Sequence, residues 1–162
     1  MTLAYPTTGG CQCGAVRFRA ASLQDNPHVC HCRMCQKATG GFFAALVGVP
    51  NEDLTWTRGT PAVFNSSAGI ERGFCRDCGT PLFFHRVGGA HYSLTIGAFD
   101  IPAAIPLRFE YGTEAKLPQI AQLAMMAESY VTEIDDPAAA EAIRASNRQH
   151  PDHDTAVWPA WG

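Results

Sequence analysis

Seven cysteines fall into three tight groups, Cys11-x-Cys13, Cys30-x-Cys32-x-x-Cys35 and Cys75-x-x-Cys78, in a chain of 162 residues. Thiols this close together are bridged, buried or bound to metal, and the grouping decides between these outcomes. A disulfide framework would leave one of the seven over. Cysteines two apart, such as Cys11 and Cys13, are also badly placed to bridge each other. Isolated buried cysteines acting as small apolar groups would not cluster. Metal coordination accounts for both the clustering and the odd number. Four sulfurs close a tetrahedral zinc site, whereas three leave a coordination position for water or substrate.

The rest of the composition sets the frame. Hydrophobic residues are 46% and charged residues 17% of the chain, ordinary for a globular protein large enough to bury a core without disulfide staples. A net charge of -3 and a pI near 6.0 lack the basic footprint of a nucleic-acid binder. No apolar run approaches the length of a membrane helix. The opening MTLAYPTTGG has neither a basic segment nor an apolar run of the secretory kind, so a cytoplasmic protein with reduced thiols is expected.

Glycine, proline and β-branched or aromatic residues recur at short intervals through residue 112, which predicts about eight short strands. Val16, Phe18 and Ala20 alternate with Arg17 and Arg19, predicting a half-buried strand. Phe42 to Val49 is nearly continuously apolar and predicts a strand buried on both faces. Further strands are expected at 54–57, 62–65, 70–74, 82–87, 92–99 and 107–111. Beyond Leu117 the texture changes. Residues 118–131 carry a weak helical period, and Asp136 followed by Pro137 reads as the cap and first position of a surface-docked, alanine-rich helix. Trp158 and Trp161 in the tail are expected to anchor it on the body, or on a neighbouring copy in a homo-oligomer.

Each outer cysteine pair sits in a turn, Gly10-Cys11-Gln12-Cys13-Gly14 and Phe74-Cys75-Arg76-Asp77-Cys78-Gly79. Glycine after the second cysteine lets the backbone fold round so that amides point at the sulfurs. Two such knuckles facing each other make a structural zinc site from Cys11, Cys13, Cys75 and Cys78. Cys30, Cys32 and Cys35 can converge on a second metal, the last two from a tight turn or a single helical turn. That site is either open, with Lewis-acid chemistry, or closed by a fourth ligand from His28, His31, His85, His91 or Asp77. A thioredoxin-type reading of Cys32-x-x-Cys35 lacks the βαβ setting it needs. Arg33 and Lys37 either lower thiol pKa values or carry a substrate's negative charge, or are solvated surface cations. Thr39, Gly40, Gly41 and Phe42 either line the mouth of the site or form an ordinary turn into the following buried strand.

The segments GGCQCGAVRF, CHCRMCQKATGGFFAAL and RGFCRDCGTPLFF, in this order and spacing, resemble the glutathione-dependent formaldehyde-activating enzyme family, within the centromere-protein-V-like superfamily. The resemblance covers roughly residues 8–112. It implies a mainly β, β-tent-like zinc-binding domain of short antiparallel strands, placed over 1–116. The residues themselves, not the resemblance, predict the C-terminal helical extension and tail over 117–162, packed on the same domain. The resemblance also implies two zinc ions per chain: a structural one on Cys11, Cys13, Cys75 and Cys78, and a catalytic one on Cys30, Cys32 and Cys35. The implied activity is that of a carbon–sulfur lyase, forming or cleaving the adduct of a thiol such as glutathione with formaldehyde or another small aldehyde, as in S-hydroxymethylglutathione synthesis. The alternative is a non-catalytic zinc-binding structural or interaction protein of the same superfamily.

Overall fold

The computed structural model describes residues 6–159, in which ten short strands form two sheets, followed by a helical C-terminal part. The chain enters as a hairpin of β1 (Thr7–Gly10) and β2 (Arg17–Ala20), and the turn between them carries Cys11 and Cys13. Next come β3 (His28–Cys30), α1 (Arg33–Thr39), β4 (Ala44–Pro50) and β5 (Leu54–Arg58). β6 (Ala62–Ser67), β7 (Ile70–Phe74), β8 (Pro81–Arg86) and β9 (His91–Thr95) follow as an antiparallel run, with β10 (Phe109–Tyr111) last. The small sheet has the order β1-β2-β5 and the large one β10-β3-β4-β9-β8-β7-β6. All pairs are antiparallel except β10 with β3.

The core lies between the sheets. Phe18, fully buried on β2, meets Phe99 edge-on at 5.0 Å and Trp56 of β5 at 6.0 Å. Trp56 reaches Phe83 of β8 across the gap at 6.0 Å, and Phe83 meets Tyr92 of β9 at 4.9 Å. The Phe83 ring lies over Gly73, where an added Cβ would fall 1.9 Å from it, so only glycine admits the ring there. β4 fills the middle of the large sheet with Ala44, Leu46, Val47 and Val49, buried on both faces as its apolar run predicts.

Alternation along β2 fails at one place. Arg17 is expected on the wet face but is buried, with 3% of its side chain exposed. It donates to both oxygens of Asp100 at 2.7 and 2.6 Å, and to Asp154 at 3.0 and 2.8 Å. A paired guanidinium with its donors satisfied tolerates burial that the strand period alone would forbid.

The C-terminal part begins with a 3-10 stretch, Pro118–Met125, in place of the expected α-helical period. No residue of that stretch is buried, so no packed face is present to reward an α-helix. A short helix, α2 (Thr132–Asp135), precedes α3 (Pro137–Ser146), where Asp136 Oδ1 accepts from the Ala139 amide at 2.9 Å and caps the helix as expected. The chain then returns to the first cysteine turn. The His150 amide donates to the Gln12 carbonyl at 2.7 Å, and Trp158 Nε1 donates to the Cys13 carbonyl at 2.8 Å. Trp158 is thus an anchor, held through its N–H while its ring stays 43% exposed. Trp161 lies outside the described residues.

The Arg17–Asp100 pair generates a pH prediction. Burial pushes the Asp100 carboxyl up, but hydrogen bonds from Arg17 and Thr8 outweigh this and hold it below its ordinary 3.8. A depressed carboxyl contributes stability that is present above the unfolded value and lost as pH falls through the folded value. Below about pH 4 the chain should therefore lose melting temperature. Asp100→Asn should be less stable at pH 7 and show a flatter acid limb, measured by thermal unfolding from pH 7 down to pH 3.

Candidate metal centres and the adjoining cavities

The two outer cysteine turns are built alike. In the first, the Cys11 amide donates to the Val16 carbonyl at 2.9 Å and the Gly14 amide to the Cys11 carbonyl at 3.0 Å. In the second, the Cys75 amide donates to Thr80 and the Gly79 amide to Cys75, both at 2.9 Å. Both closing glycines have positive φ, +74° at Gly14 and +78° at Gly79, as the sequence predicts. The Val16 amide points at Cys11 Sγ from 3.2 Å. The turns bring the sulfurs of Cys11, Cys13, Cys75 and Cys78 within 4.8 Å of one another. Cys11 and Cys13 sulfurs are 3.6 Å apart, and those of Cys13 and Cys75 3.8 Å. The edge of a tetrahedron with metal–sulfur bonds of about 2.3 Å is about 3.8 Å, so this group fits a tetrahedral metal. The same separations exclude disulfides, and all seven cysteines are free.

The second group is assembled from two elements and the short link between them. β3 ends at Cys30, Cys32 is the N-cap residue of α1, and Cys35 lies in the first turn of that helix. Their sulfurs also lie within 4.8 Å of one another. β10 clasps the loop from outside: the His31 amide donates to the Tyr111 carbonyl at 2.8 Å. Gly112, with φ +63°, lets the backbone pass Cys32 so closely that a Cβ would sit 2.8 Å from the Cys32 nitrogen. Buried Gln36 donates to the carbonyls of His31 at 2.7 Å and Ala115 at 3.0 Å, locking α1 to the cysteine loop and to the turn that follows β10.

Without a cation these sulfurs are electrostatically frustrated. Burial pushes Cys30 up to about 12 and Cys13 up to about 11, and it raises Cys11 as well. Burial also acts to raise Cys78 and Cys32. It is outweighed at Cys78, held down to about 6, by hydrogen bonds from Thr80, and at Cys32 by the Cys35 amide, its neighbouring sulfurs and the charge of Arg72. A divalent metal relieves this by accepting every sulfur as thiolate.

Arg72 of β7, inside one of the motif segments but not singled out by sequence reasoning, is the other cation of the inner group. It is buried and donates through Nη2 to Cys35 Sγ at 3.4 Å and through Nε to Ser66 at 3.3 Å. Its guanidinium carbon stands 5.3 Å from the centre of the Phe84 ring. Among the described residues no carboxylate pairs with it. Three thiolates and a divalent cation sum to one negative charge, which Arg72 matches.

Arg72 also borders two cavities, of about 310 and 360 Å³. The first is walled by apolar side chains including Leu46, Phe83 and Phe84. The second runs along α1 past Arg33, Met34 and Lys37. Thr39 lines the first cavity, whereas Gly40, Gly41 and Phe42 line neither. Gly40 instead caps α1 in the left-handed conformation.

None of the five candidate fourth ligands belongs to the three-sulfur group among the described residues. His28 has Nδ1 2.7 Å from the Asn26 carbonyl and its ring against Tyr111. His31 is fully buried, with Nε2 3.5 Å from Glu110. His85 stacks on Tyr92 at 4.1 Å, and His91 and Asp77 are exposed.

Residues 6–112 match the model of the glutathione-dependent formaldehyde-activating enzyme family. The chain belongs to this family. A Podospora anserina protein named for the same family is 29% identical over 126 residues, covering 75% of this chain and 54% of that one. A Phaeosphaeria nodorum protein of the same name is 35% identical over 75 residues, 45% of this chain and 40% of its own length. A Schizosaccharomyces pombe protein described as a lyase is 28% identical over 81 residues, 50% of this chain and 58% of its own. The chain thus spans about half the length of the curated relatives it matches. Both cysteine groups fall inside the family-matched segment.

Two outcomes are expected from metal analysis of the full chain. Zinc should bind at two equivalents and release protons on uptake, read with a pH indicator, and affinity should fall as pH falls because thiols must ionise. Cys75→Ser should lower the melting temperature by about 10 °C or more, whereas Cys32→Ser should lose one zinc and change it by less than about 5 °C.

Proposed function

We propose that this chain joins a thiol to a small carbonyl compound, and cleaves the adduct, at the centre formed by Cys30, Cys32 and Cys35. Glutathione and formaldehyde are the first pair to test. The observation that carries this reading is the three-sulfur group with no fourth protein ligand among the described residues, set beside a buried arginine and two cavities. Membership of the family and the names of its relatives support the same chemistry.

Zinc on the three sulfurs would supply Lewis acidity and stabilise a bound thiolate or a polarised carbonyl oxygen. The chain's own residues do the rest. Arg72 donates to Cys35 Sγ, draws negative charge from the thiolate cluster and keeps a positive charge at the cavity edge. Gln36 and Gly112 fix the loop that carries Cys32, so the sulfurs keep one arrangement. Leu46, Phe83 and Phe84 give the adjoining cavity an apolar lining. In the reaction a C–S bond forms, the C=O π pair moves to oxygen, and oxygen gains the proton that the thiol loses. No electrons are exchanged with a cofactor. In this reading Cys11, Cys13, Cys75 and Cys78 hold a structural zinc.

The zinc-loaded full chain, mixed with glutathione and formaldehyde, should form S-hydroxymethylglutathione faster than the spontaneous background, followed by NMR exchange spectroscopy. Cys35→Ser should abolish the gain, and Arg72→Met should reduce it by about 10- to 100-fold while leaving the melting temperature within a few degrees. A fully loaded protein with no rate above background, and with zinc inert to added thiol, would support a purely structural or interaction role instead.

A further inference from the structure

The two cavities bordering Arg72 differ in chemistry. The first, about 310 Å³, has walls of Leu46, Phe64, Phe74, Pro81, Phe83 and Phe84. The second, about 360 Å³, carries Arg33 and Lys37, one turn apart on α1. They share Ala38, Phe64 and Arg72 and so lie side by side. No cysteine lines either cavity; the apolar chamber adjoins the metal centre across Phe84, packed against the Cys35–Ala44–Leu46 cluster, and across Arg72, which donates to Cys35 Sγ.

Size separates the substrates this chamber suits from those it does not. Formaldehyde has two heavy atoms and needs about the space of one or two waters. At about 30 Å³ per water, the chamber has room for on the order of ten. Glutathione is large enough but has the wrong chemistry, since its two carboxylates, ammonium and peptide groups would lose hydration against aromatic walls that offer few partners. Its charges match the second cavity, where Arg33 and Lys37 pair with no carboxylate among the described residues. That leaves the chamber for an apolar group lying next to the reacting carbon.

We propose that the carbonyl substrate of this chain carries an apolar branched-alkyl or aromatic substituent that fills the Leu46–Phe64–Phe83–Phe84 chamber, while the anionic thiol lies along Arg33 and Lys37. The proposal rests on the thiol–carbonyl reading of the three-cysteine centre. The step is the same addition: the thiol sulfur bonds to the aldehyde carbon, the π pair goes to oxygen, and the thiol proton ends on that oxygen. The product is a hemithioacetal whose carbon bears the substituent.

The test uses the zinc-loaded full chain with glutathione and two aldehydes, formaldehyde and isovaleraldehyde, with adduct exchange followed by NMR. The rate gain over background is expected to be about tenfold or more larger for isovaleraldehyde. In Ala38→Leu, which narrows the shared mouth from an exposed helix position, and Phe64→Ala, which removes an exposed wall, the ratio of the two gains should collapse toward one. Circular dichroism and zinc content report whether each variant is folded and loaded. Independently of turnover, methyl protons of 3-methylbutanol should show NOEs to chamber phenylalanine rings in the wild type, and these should weaken in Ala38→Leu. A gain for formaldehyde with none for isovaleraldehyde overturns the proposal and leaves the thiol–carbonyl reading intact. A gain for neither aldehyde overturns both. If the gain follows an apolar group on the thiol instead, as with 3-methylbutanethiol and formaldehyde, the chamber belongs to the thiol and the proposal fails.

Discussion

Four sulfurs approaching from two hairpin turns are the constraint around which the molecule is arranged. Cys11 and Cys13 sit between β1 and β2 of the small sheet, and Cys75 and Cys78 between β7 and β8 of the large one. A metal held there rivets the two sheets at one end, with Phe18, Trp56 and Phe83 packed between them. Cys13 and Cys75 are 62 residues apart. Closing a loop of that order costs about 4 kcal/mol of chain entropy, well below the free energy that a structural zinc commonly supplies. Everything between the two turns, the inner cysteine group included, is threaded inside this closure.

The two buried arginines show how the same ion is put to different uses. Arg17 is neutralised by two carboxylates and works as a structural tie between β2, Asp100 and the tail. Arg72 has a sulfur, a hydroxyl and an aromatic face as partners. Its charge is therefore balanced only when the thiolates around it are ionised. One buried arginine is thus balanced by carboxylates and the other faces the three-sulfur group.

Much of this was legible in the chain. The division of cysteines, the glycines that close each knuckle, the double-sided burial of β4 and the Asp136 cap follow from local spacing and local conformational preference. Other features are tertiary and leave no local trace. Burial of Arg17 breaks the strand period because Asp100, far along the chain, supplies its counter-charge. β10 falls within the strand expected at 107–111, but β3 is only three residues long and shows no alternation, and the parallel pairing of the two is a long-range choice. Arg72 was visible as a residue in a motif, but nothing nearby in sequence says that it reaches Cys35. Of the histidines offered as fourth ligands, His28 meets a backbone carbonyl and Tyr111, His85 stacks on Tyr92 and His91 is exposed. The buried ring nitrogens of His31 and His85 have no hydrogen-bond partner among the described residues, and these placements are set by packing alone.

The C-terminal segment has its own geometry. Ala115 is tied to the loop of the inner cysteine group through Gln36, and His150 is tied to the outer group through Gln12. The residues between are thus fastened at both ends, one end at each cysteine group, and resemble a handle more than a tail. A handle has less conformational freedom than a free end of equal length, and the span between its two fixings sets its reach. Slackening at either fixing would change how the residues between them sit, which makes this stretch mechanically answerable to both centres at once.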